Sequence, residues 1–147
     1  MFQMPFTVKD VSAAHGDKNL GDLPEWDLSD LYTAPDAPEL SDDLTWLETE
    51  CAAFAADYEG KLVGLSADDM LACVMRNEKI STIAGRVMSY AGLRYYQMTT
   101  DGERTKFLSD CQEKITNFTT SLVFFSLELN RLEDEHIEGL LTQNPAL

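Results

Sequence analysis

The chain carries two histidines, His15 and His136. A zinc protease needs two His one helical turn apart, with a Glu between them to activate water. No His-Glu-x-x-His occurs. Glu133 and His136 do stand at the Glu-x-x-His spacing of ferritin-like di-iron bundles, which puts both side chains on one helix face. That centre requires a second copy and two further carboxylates, and the second His is missing, so the pair reads better as a solvated helix start. No Gly-rich phosphate loop, nucleophile elbow or calcium loop is present. The three cysteines, Cys51, Cys73 and Cys111, form no Cys-x-x-Cys and have no His or basic cluster beside them. An odd number of thiols amid apolar residues indicates reduced core cysteines of a cytoplasmic protein. On its own residues the chain reads as a helical module with no catalytic residue, no metal ligand and no cofactor.

Charge narrows the partners. The formal net charge is −15, from 26 acidic and 11 basic residues. Phosphate backbones and anionic headgroups repel such a chain, which disfavours nucleic-acid and membrane-surface roles. Between Lys18 and Lys61 there is no basic residue but there are twelve acidic ones. Such a run is either a solvated face or a docking face for a basic surface or peptide amines, and the solvated face is the commoner case. No secretory signal opens the chain, and its apolar runs, such as Leu122 to Phe125, are far too short to span a bilayer. With 147 residues, 44% hydrophobic and 25% charged, the composition is that of a globular domain or a piece of a larger one.

The elements that must position any site are helices. Leu108, Cys111, Ile115, Phe118, Leu122, Phe125, Leu129 and Leu132 recur at alternating spacings of three and four, the seam of one helix face. Val123, Phe124 and Leu127 lie off that seam, so the stripe broadens and the helix is expected to be clamped between neighbours. Earlier in the chain, residues 1–22 carry no periodicity and read as a mobile N-terminal tail. Trp26, Leu28, Leu31 and Tyr32 form an anchor, and Pro35 and Pro38 enforce an extended connection.

Ser41 is the expected N-cap of a first helix, with its buried face at Leu44, Leu47, Cys51, Phe54 and Tyr58 and its stop at Gly60. Ser66 and Asp69 cap a second, longer helix whose face runs Leu71, Val74, Ile80, Ala84, Val87, Ala91 and Tyr95. Gly85 and Gly92 lie inside it, and their propensity cost of about 1 kcal/mol each predicts the close approach of a neighbouring helix. Thr100 and Glu103 form a capping box, so the chain reverses near Met98–Gly102 into the seam helix. The two long helices each cover about 30 residues, roughly 45 Å. A short last helix spans Asp134 to Leu141. The fold class is all-α: an antiparallel hairpin of two long helices with shorter helices packed on it, a helical bundle formed by residues 23–147.

Leu-Pro-Glu-Trp-Asp-Leu-Ser-Asp-Leu-Tyr, from Leu23 to Tyr32, resembles the opening of the oligoendopeptidase F family of zinc metallopeptidases. The similarity continues in Ser89-Tyr90-Ala91-Gly92-Leu93, in Thr99-Thr100-Asp101 and in Phe124-Phe125-Ser126-Leu127-Glu128-Leu129. The stretches follow one another in the family's order from Leu23 to the C-terminus. The resemblance implies a mostly helical enzyme several times longer than this chain. In that family a His-Glu-x-x-His helix and a later Glu bind zinc, and the intervening Glu activates water against a peptide bond. Those residues belong to a C-terminal part that this sequence lacks, so no catalytic residue carries over.

The chain thus looks like the non-catalytic N-terminal segment of a cytoplasmic oligopeptidase, forming a wall of its substrate channel. Its implied partners are the catalytic C-terminal domain and, in the intact enzyme, an oligopeptide substrate. The alternative is a free-standing acidic helical interaction module. Phe124 and Leu127 are the candidate interface, expected to meet the catalytic half or, in the isolated chain, a second copy.

Overall fold

The structure, a computed structural model, describes residues 26–147. The expected tail at 1–22, and residues 23–25 of the anchor, lie outside the described residues. Every regular element among the described residues is helical, as the apolar spacing predicts.

Helix α1 spans Pro38–Tyr58. It starts three residues before the expected cap at Ser41, with Pro38 in its first turn and Ala37 as N-cap. Proline suits that position, because its fixed φ is already helical and its missing N–H would have had no partner there. Pro38 therefore opens a helix and does not extend a linker. At the other end Gly60 takes a positive φ of 77°, which reverses the chain. The Lys61 ammonium donates to the Ala56 and Asp57 carbonyls of the last turn, at 3.0 and 2.7 Å, satisfying acceptors the helix leaves free. A short 3-10 turn, Leu62–Gly64, buries Leu62 and leads to α2.

Helix α2 spans Ala67–Gln97, 31 residues or roughly 46 Å. Ser66 caps it by accepting the Asp69 N–H, and the Ser66 hydroxyl donates to the Asp69 carboxylate at 2.6 Å. Its buried line is Met70, Cys73, Ile80, Ala84, Val87, Tyr90 and Ala91. The N-terminal half thus turns on Met70 and Cys73, whereas Leu71, Val74 and Tyr95 are only half-buried. The expected helix approach at Gly85 and Gly92 does not occur. A Cβ at either position would meet nothing within 4 Å.

The chain reverses after Met98 as expected, but the cap is Asp101, one residue past Thr100. The Asp101 carboxylate accepts the Glu103 and Arg104 N–H groups. Arg104 closes the turn by donating to the Arg94 carbonyl and the Gln97 side-chain oxygen, at 2.9 and 3.0 Å.

Helix α3 covers Gly102–Thr119 and α4 covers Val123–Leu129, with a 3-10 turn at Thr120–Leu122 between them. The single seam helix of about 30 residues is therefore divided. A run of hydroxyls lies at the break. Thr119 donates to the Ile115 carbonyl, Thr120 to Thr116 and Ser121 to Phe118, at 2.8, 2.7 and 2.9 Å. Such back-bonding often bends a helix, and three in succession occur here, whereas the spaced Thr45 and Thr49 do the same within a continuous α1. The apolar seam survives the break: Cys111 and Phe125 are buried, and Leu108, Ile115, Phe118, Leu122, Leu129 and Leu132 pack half-buried on the core. Helix α5, Asp134–Gln143, rests on α2.

Helices α1, α2 and α3 pack against one another, and two aromatic nodes join the rest to them. Phe54 of α1 is fully buried between Tyr58, Phe124 and Phe125, with ring centroids 4.9, 5.9 and 5.7 Å away. Tyr32 meets Tyr90 edge-on at 5.4 Å, and Tyr90 meets Phe107 at 6.0 Å. Such pairs add about 0.5–1.5 kcal/mol each beyond the burial of their area. In the anchor, Tyr32 is buried and Leu28 and Leu31 are half-buried, but Trp26 is 59% exposed and serves through its carbonyl, which accepts from Gln97.

Candidate functional site

The residues that could do chemistry are separated by this packing. Glu133 is the exposed N-cap residue of α5, and its carbonyl accepts the His136 and Ile137 N–H groups. His136 lies half-buried in the first turn, and its Nε2 has no hydrogen-bond partner among the described residues. No group of three His, Cys, Asp or Glu side chains among the described residues is arranged to hold a metal ion. His15 lies outside the described residues. Cys51, Cys73 and Cys111 are free and buried on three different helices. Burial pushes all three thiols up, Cys73 to about 11, which leaves them protonated and unreactive near neutrality.

The acidic run has a structural use that its spacing did not reveal. Asp43, Glu50 and Asp57 line the side of α1 that faces two arginines of α2. Arg86 donates to Asp43, and its guanidinium lies 4.8 Å from the Tyr32 ring centroid. Tyr32 completes the triangle: its hydroxyl donates to Asp43 at 2.5 Å and accepts from Arg86 Nε at 3.0 Å. Burial and the neighbouring Asp43 carboxylate push the Tyr32 phenol up to about 12. Nearly three turns earlier in α2, Arg76 donates to Glu50 and, at 2.6 Å, to Asp57, while lying over the Phe54 and Tyr58 rings. These bonds to carboxylates raise the Arg76 pKa further above its ordinary value. Three acids of the run thus hold α1 to α2, and the others described are largely solvated.

The two candidate interface residues part company. Phe124 is turned into the core against Phe54, whereas Leu127 is 52% exposed. The expectation that Phe124 is left over as surface is therefore corrected. Positions three apart lie about 60° apart around a helix, and here Phe124 is on the side toward α1 while Leu127 is past its edge. The exposed apolar residues here are instead Val123 and Leu127 of α4 and Val63, which is 67% exposed on the 3-10 turn after α1 that α4 contacts. Glu128 binds the two parts: its carboxylate accepts the Gly60 N–H at 2.6 Å and the Leu62 N–H at 3.4 Å. Val63 and this use of Glu128 were missed by sequence reasoning. The one signal in the sequence was a pair of apolar residues, Leu62-Val63, one residue beyond the helix-stopping Gly60.

No helix of the described residues is long and apolar enough to cross a membrane. Compared with known proteins, the chain matches no protein family, no characterised protein and no solved structure.

Proposed function

We propose that this chain is the non-catalytic N-terminal part of a cytoplasmic zinc oligopeptidase of the oligoendopeptidase F type. The observation that carries the reading is where the resembling stretches fall: each supplies a joint of the helical scaffold. Tyr32 of the first stretch packs on Tyr90 of the second. Asp101 of the third caps α3, and the fourth supplies Phe124 and Phe125 to the Phe54 node and Glu128 to the Gly60 turn. Residues that fix helix joints are those a scaffold keeps when its surface changes, so their joint order supports common architecture. The three buried free thiols support a reducing compartment.

In this reading the catalytic half supplies the zinc, its His-Glu-x-x-His ligands and the water-activating Glu, while the helices here wall a channel that admits short flexible peptides. The deciding experiment is to read the gene in frame beyond the Leu147 codon and to assay its full product with a fluorogenic peptide. A His-Glu-x-x-His followed by a later Glu, with chelator-sensitive cleavage, is the expected result. A gene without that signature overturns the proposal. The second reading, a free-standing acidic interaction module, is favoured by the exposed Val63, Val123 and Leu127, and would then stand in its place.

A further inference from the structure

We draw no further inference here: the strongest candidate, the hollow of about 160 Å³ lined by Trp26, Asp27 and, at the end of α2, Arg94, carries nothing, because Arg94 is only half-buried, its one unpartnered nitrogen is closed off from solvent, and nothing in the structure shows what fills the hollow.

Discussion

Glu128 and Gly60, 68 positions apart, are joined by a 2.6 Å hydrogen bond from the glycine N–H to the carboxylate. The same carboxylate reaches Leu62 N–H at 3.4 Å. One side chain of α4 thus satisfies donors of the turn that leaves α1, where the backbone has no helical partner. Glu128→Ala should cost about 1 kcal/mol, the usual net worth of such bonds. Glu128→Gln keeps a carbonyl acceptor and should lose less. Urea unfolding of the three proteins tests the order, and an alanine variant as stable as the parent would show that the carboxylate contributes nothing.

The Tyr32 hydroxyl sits between Asp43 and Arg86, and its ring is held by Tyr90. Tyr32→Phe keeps the ring contact and leaves Asp43 with Arg86, so a loss of about 1 kcal/mol is expected. The alkaline limb of the stability curve carries the sign. The folded phenol titrates at about 12 against 10.0 unfolded. Its contribution is complete below pH 10 and is lost as pH rises toward 12, because the unfolded chain releases the proton first. Cys73, at about 11 against 9.0, adds a loss that begins nearer pH 9. Cys51, Cys111 and Tyr90 are raised by burial as well, so melting temperatures should fall progressively across this range, with a smaller fall above pH 10 in Tyr32→Phe.

Gly85 and Gly92 lie inside α2 with open space where a Cβ would stand. Alanine at either position should therefore raise stability by up to about 1 kcal/mol through helix propensity alone. Thermal melts of the two single variants decide it, and a drop in Tm would mean that a helix does approach the bare backbone.

These glycines mark the limit of what the sequence makes legible. The seam from Leu108 to Leu132 is readable because burial depends on spacing, and spacing is written in the chain. The same holds for the hairpin and for Ser66 as a cap. A glycine in a helix, by contrast, has the same local cost whether a neighbour approaches or not, so the cause cannot be recovered from its position. Caps slipped for a related reason. Thr100 and Asp101 both carry an oxygen that can accept an N–H, and the choice rests on backbone geometry that neither residue type dictates. The break at Thr119–Ser121 coincides with a hydroxyl run, but Thr45 and Thr49 turn back on carbonyls within a continuous α1, so hydroxyls in a helix do not by themselves announce a break. The exposed apolar surface was harder still. Val63 lies on a turn and Leu127 on α4, and nothing local unites them. Only the fold brings that turn against α4.

Self-association separates the two halves of the original interface expectation. Phe124 is buried on Phe54, so Phe124→Asp places a charge in the core and should unfold the protein; truncating such a side chain even to Ala typically costs about 3–5 kcal/mol. Leu127 is exposed, and Leu127→Asp should change stability by no more than about 0.5 kcal/mol. The apolar surface left at Val63, Val123 and Leu127 favours contact between copies, while a net charge of −15 opposes it. Which term wins depends on ionic strength, because the Debye length shrinks from about 10 Å at 0.1 M salt to about 3 Å at 1 M. Sedimentation velocity should accordingly find monomer at low salt and concentration-dependent association at high salt. Leu127→Asp should remain monomeric in both. Association that is strongest at low salt, or equal in the variant, would place the contact away from α4.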